Sequence, residues 1–171
     1  MHSPQIATKV LELNISIPHL GCFVQVYLDV ETPTGPFGRL VIELFPDIVP
    51  IAANEFLAHC TGHYGPSYVG CHFERIAPGF VAQINSPTSM LPVDLAVMSS
   101  SVGESCDHHI DMECLNPLSF DRRGRVGLMF HPESRKLTPQ FFIAFGEAKY
   151  LDGTYFVVGQ VRSHLASCMS A

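Results

Sequence analysis

The chain has 171 residues, 47% of them hydrophobic and only 15% charged, the proportions of a folded globular protein and not of a disordered one. That length suits a single domain, 1–171, with a core of its own. A formal charge of −6 argues against a general nucleic-acid binder or a binder of anionic membranes, and no apolar run approaches the roughly 18 residues of a membrane span.

In chain order, the opening "MHSPQIATK" lacks the basic-then-apolar layout of a signal peptide. With no such signal, the six cysteines are expected to be reduced thiols, which implies a cytoplasmic or nuclear protein. Leu11, Leu13, Ile15 and Ile17 alternate with Glu12, Asn14 and Ser16, so residues 9–17 are expected to form a half-buried strand. The sequon Asn14-Ile15-Ser16 is read as part of that strand. The turn "PHLG" leads into "FVQVYLDV", with Val24, Val26 and Leu28 on one face. Turn-rich "TPTGPFG" (32–38) follows, and "RLVIELF" (39–45) alternates again with Leu40, Ile42 and Leu44 inward. An antiparallel meander is expected, with residues 1–20 supplying an extra N-terminal strand and turn.

A helix follows. Asp47 is the expected cap, Pro50 suits the first turn and Gly62 the exit. Ala53, Phe56, Leu57 and Cys60 form its apolar stripe. "CHFERI" and "GFVAQ" read as short strands around Pro78-Gly79. From Ile84 to Arg125 periodicity fades into a long segment rich in Ser, Pro, Asp and His, and loops of that length are usually functional or partly folded. Strand patterns return in "VGLMF", "QFFIAF" and "YFVVGQV", the last two joined through "LDG". The fold class is therefore mainly β, an antiparallel barrel closed by helices.

Arg75 stands out because it interrupts the apolar run of Phe73, Ile76, Phe80 and Val81. A charged side chain in such a place has either a structural partner, such as Glu74 or Glu43, or a use.

The ordered segments "GRLVIELFPDIVPIAANEFLAHCTG", "YVGCHFERIAPGFVAQ" and "PQFFIAF…YLDGTYFVVGQV" resemble the cyclophilins, peptidyl-prolyl cis-trans isomerases. The resemblance implies a closed eight-stranded antiparallel barrel capped by helices, acting on Xaa-Pro bonds of peptides or proteins without a cofactor. It assigns Arg75 as the catalytic arginine and Gln83 as the residue that holds the arginine and a substrate carbonyl. Phe80, Val81, Phe142, Leu151 and Tyr155 become the proline pocket, with Gln140 on the groove.

Departures from the family pattern mark a divergent member. Phe130-His131 replaces the family's Ala-Asn pair, so Phe130 is expected to narrow the groove, and Pro132 removes a backbone donor. Ile84-Asn85 begins the run that replaces a glycine pair. Val81 stands for the usual methionine, Tyr155 for the pocket histidine, and Tyr150 for the tryptophan associated with cyclosporin binding. Weakened activity and weak or no cyclosporin binding are the expectations. The segment 86–125 carries an insertion, and the family's last strand has no counterpart near the C-terminus; residues 9–17 are expected to take its place. The alternative to an enzyme is a cyclophilin-like interaction module that binds a proline-containing or other partner segment with little turnover.

Cys106, His108, His109 and Cys114 have ligand chemistry, but "CDHHIDMEC" matches no standard zinc spacing, and no metal site is expected. "DRRGR" (121–125) is read as a solvated loop.

Overall fold

Period-two sequences become strands wherever one face can be buried, and here that face curls around a common core. The computed structural model describes residues 24–63, 67–84, 116–131 and 136–162. The expected strand 9–17 and the Cys106–Cys114 cluster lie outside the described residues, as does most of the 86–125 segment.

Strands β1 (Val24–Thr32) and β2 (Gly35–Leu44) form the expected hairpin. Their register pairs Val26 with Ile42 and Leu28 with Leu40, all four buried. On the outer face the same register sets Asp29 opposite Arg39, with Nε donating to the carboxylate at 2.7 Å.

Helix α1 (Pro50–Thr61) has Pro50 in its first turn and Gly62 as a left-handed C-cap at φ 68°. Asp47 does not cap it. Val49 occupies the N-cap with no side-chain hydrogen bond, because the Phe45 carbonyl has already accepted the amides of Ile48 and Val49 in a turn. The helix begins only beyond that turn. Ala53, Phe56 and Cys60 are buried as the stripe predicts, Ala52 joins them, and Leu57 is half-buried.

The remaining strands are β3 (Phe73–Ala77), β4 (Val81–Ile84), β5 (Arg125–His131), β6 (Lys136–Ala144) and β7 (Tyr155–Val161). All pairings are antiparallel, in the order β1-β2-β7-β5-β6-β4-β3. The described residues thus form one curled seven-stranded sheet with a single α-helix; β1 and β3 are its edges, and no eighth strand closes it among these residues.

Alternation divides the apolar residues between the two faces. The inner face carries the main core, including Leu28, Ile42, Phe56, Leu128, Phe141 and Val158. Its centre is an aromatic trio in which the Phe141 ring lies 5.0 Å from Phe56 and 4.9 Å from Tyr68, both edge-on. The buried Tyr68 hydroxyl donates to the Pro139 carbonyl at 2.8 Å, so its polar tip is satisfied. Each such side chain stabilises the fold by about 1.5–3 kcal/mol through burial. The outer face carries a smaller cluster: Val81, Phe120, Phe142, Ala144, Ala148 and Val157.

The "DRRGR" segment is more structured than a solvated loop. Arg125 opens β5 with its side chain only 12% exposed, bound to Asp121 at 2.8 Å and lying over the Phe45 ring. Arg122 holds the same Asp121 carboxylate from the solvent side.

Candidate active site

The outer cluster lies beside a hollow, and the β3–β4 hairpin supplies one wall of it. Ala77 and Phe80 close the hairpin turn, the Phe80 amide donating to the Ala77 carbonyl at 2.9 Å. Gly79 sits in that turn at φ 76°, a left-handed position that favours glycine after Pro78.

Strict alternation would send Arg75 inward with Phe73. The ladder instead shifts register between these two residues, from Phe73↔Ile84 to Arg75↔Gln83. The extra residue, Glu74, forms a bulge that lets both Phe73 and Ile76 pack on the inner core. Arg75 is thereby turned to the outer face beside Gln83. Its guanidinium lies 5.9 Å over the Phe80 ring and pairs with no carboxylate among the described residues. Glu43, one structural partner considered from sequence, accepts from Arg162 at 2.6 Å instead.

Arg75, Phe80, Val81, Gln83, Met129, Phe142, Leu151 and Tyr155 line an open hollow of about 370 Å³. Seven of these eight are residues expected from sequence; Met129 is the addition. The sulfur of Met129 accepts from Gln83 Nε2 at 3.6 Å. Gln83 and Arg75 are cross-strand partners, but their side chains do not hydrogen-bond.

The Phe142 ring stands edge-on to Tyr155 at 5.2 Å and is stacked on Phe120 at 5.4 Å. Phe120 comes from the aperiodic segment 116–120 and is fully buried. Its position is secured from the turn before β7, where the Asp152 carboxylate accepts from the Ser119 hydroxyl (2.5 Å) and the Phe120 amide (2.9 Å). Leu151 belongs to the short 3-10 helix Lys149–Leu151 that leads into this turn.

The other expected groove residues lie elsewhere. Phe130 is 8% exposed and packs in the main core, its ring 5.5 Å from Phe156. Val126, Leu128 and Phe130 share the inner face of β5, so the Phe130 ring does not enter the hollow and does not narrow it. Tyr150 is 69% exposed, stacks on Phe80 at 6.0 Å and does not line the hollow. Gln140 is half-buried on β6 and does not line the hollow. The backbone of His131 pairs with Lys136, and its side chain lies outside the described residues.

The site is an apolar, aromatic cup with one amide at its rim and one guanidinium that pairs with no carboxylate among the described residues. Such an arrangement suits a small apolar ring flanked by peptide groups. No group of three or more His, Cys, Asp or Glu among the described residues could hold a metal ion.

Comparison with known proteins agrees with this architecture. The family model for cyclophilin-type peptidyl-prolyl cis-trans isomerase/CLD matches residues 27–169. Among solved structures, a cyclophilin-type peptidyl-prolyl cis-trans isomerase of Cryptosporidium parvum is 26% identical, with a TM-score of 0.56 over 78% of each chain. A second structure of a cyclophilin of that organism, determined in the presence of the dipeptide Ala-Pro, gives 24% identity and a TM-score of 0.56 over 78% of this chain and 79% of that one. The chain belongs to the cyclophilin family and carries a cyclophilin-type peptidyl-prolyl cis-trans isomerase domain, in a divergent form. Among the described residues, no helix is long and apolar enough to cross a membrane.

Proposed function

We propose that this protein catalyses cis-trans isomerisation of Xaa-Pro bonds in peptides or protein segments, with Arg75 as the catalytic group. The observation that carries this reading is the outward turn of Arg75, which pairs with no carboxylate among the described residues, onto the rim of the apolar hollow.

Rotation about Xaa-Pro is slow because resonance gives the C–N bond partial double-bond character, a barrier of about 18–20 kcal/mol. In the twisted transition state the prolyl nitrogen regains its lone pair and becomes a hydrogen-bond acceptor. A donor aimed at that nitrogen therefore binds the transition state better than the planar ground state. Arg75 suits this task because guanidinium stays charged and offers a rigid fork of donors. Val81, Phe142, Leu151 and Tyr155 would grip the proline ring, each buried ring methylene contributing about 0.8 kcal/mol. Phe80 would hold the arginine guanidinium by cation–π contact, and Gln83 would take the peptide group next to the ring. Every tenfold of rate needs only about 1.4 kcal/mol of such differential binding. No step of this mechanism calls on a cofactor.

The same reading makes residues 1–171 one cyclophilin-like domain, with 9–17 adding an eighth strand that closes the sheet. It includes weak or no cyclosporin binding, supported by Tyr150 at the family's tryptophan position. The free, buried thiols of Cys60 and Cys71 support a reducing compartment, cytoplasm or nucleus.

A titration of the isotopically labelled protein with a short Xaa-Pro peptide tests the assignment. Shift changes centred on Arg75, Gln83, Met129 and Phe142 are expected. Changes confined to other faces of the sheet would move the binding site away from the hollow.

A further inference from the structure

We infer that Met129 fixes the orientation of the Gln83 side-chain amide, which makes it a positioning residue of the proline site. The inference deepens the reading above and rests on it for its kinetic consequence, though not for its geometry.

A glutamine amide has a donor end and an acceptor end of nearly the same shape, so its neighbours decide which way it faces. Around Gln83 those neighbours are chemically one-sided. A thioether sulfur offers only an acceptor, and a guanidinium offers only donors. Gln83 Nε2 lies 3.6 Å from the Met129 sulfur, while Arg75 is its direct cross-strand partner on the same hollow. With the NH2 group on sulfur, Oε1 is the end left for a donor, either Arg75 or the N–H of a bound peptide. Reversed, the carbonyl would face the sulfur lone pairs, a repulsive contact, and the NH2 group would offer donors to a hollow whose cation, Arg75, also offers only donors. Acceptor on one side and donors on the other therefore select a single amide orientation.

Met129 is itself well placed to act as a fixed reference. It pairs with Tyr155 across the β5–β7 ladder, and its carbonyl accepts from the Thr138 hydroxyl at 3.3 Å. The β5–β6 ladder shifts register between Leu128 and Phe130, so Met129 stands at the irregularity with its side chain in the hollow. A neighbouring leucine would fill similar space and leave the Gln83 amide without its acceptor.

The test uses Met129→Leu in the full chain and reads two properties. First, the Gln83 side-chain NH2 signals, assigned through their loss in Gln83→Glu, are expected to shift, with a lower Nε2 order parameter. Second, kcat for exchange of an Xaa-Pro peptide is expected to fall about two- to ten-fold, the factor a neutral hydrogen bond supplies, with little change in KM. In a Gln83→Ala background the same substitution is expected to have no further effect on kcat. Unchanged NH2 signals in Met129→Leu would overturn the inference by themselves. An equal loss of kcat with Gln83 already removed would overturn it too, since Met129 would then act without Gln83. If the wild-type protein catalyses no exchange, the isomerase reading fails, and the NH2 signals still decide the orientation.

Discussion

Replacing Gly127 by alanine is expected to disable the hollow while leaving its lining residues in the chain. Gly127 lies directly opposite Phe142 in the β5–β6 register. A Cβ added there would stand 2.5 Å from Phe142 Cζ and 2.7 Å from Phe120 Cζ. Carbon–carbon contacts are most favourable at about 3.5–4.0 Å, so the two rings must retreat by roughly 1 Å. Neither has an easy retreat, because they are stacked on each other and Phe120 is held through Asp152. Overpacking of this kind costs about 1–3 kcal/mol of stability. The larger effect is on function, since a displacement of about 1 Å in a positioning surface can cost ~100-fold in rate. Urea unfolding gives the first quantity, and NMR exchange on an Xaa-Pro peptide gives the second. A stable Gly127→Ala protein with undiminished kcat/KM would refute the idea that Phe142, backed by the buried Phe120 ring, forms part of the working surface of the site.

Asp152→Ala removes an acceptor from both Ser119 and the Phe120 amide, and should destabilise the protein by about 1.5–3 kcal/mol while lowering activity; an unchanged urea midpoint would contradict it. Phe130→Leu should cost about 1–2 kcal/mol, below the ~3–5 kcal/mol of truncation to alanine, and spare kcat/KM because the ring lies in the main core. A large change in KM with stability intact would return Phe130 to the groove. Hydrogen bonding from Arg122, followed by Arg125, holds the Asp121 carboxyl well below the ordinary carboxylate range. That folded value lies under the unfolded one of about 3.9, so the stabilisation is full above pH ~4 and disappears as pH falls through the folded value. Asp121→Asn should therefore lower stability at neutral pH and converge with wild type in strong acid, as thermal melts across that range would show.

Alternation made most of the sheet legible: Val26, Leu28, Leu40 and Ile42 lie where a period of two places them. Where the ladder breaks period, pattern reading fails. Arg75 would face inward by strict alternation, and only the bulge at Glu74, which has no marker in sequence, turns it outward. Phe130 shows the opposite error. Position matching set it on the groove, although "VGLMF" already groups residues 126, 128 and 130 on one face and leaves Met129 on the other. Reading that period would have found Met129 and moved Phe130 to the core. Phe120 had no such signal, because it lies in irregular backbone and is fixed by Asp152, distant in sequence. Asp47 has the right chemistry for a cap, but the Phe45 turn delays the helix past it.

Whether the Arg75 guanidinium lowers the barrier to Xaa-Pro rotation is open to direct measurement. Magnetisation exchange between cis and trans signals of a short Xaa-Pro peptide, with the wild-type protein and with Arg75→Ala, tests it most directly. Exchange is expected with the wild type, and a loss of about 10²–10³-fold in the variant, the usual cost of removing one transition-state donor, with peptide binding largely retained. Equal exchange rates for the two proteins would contradict it.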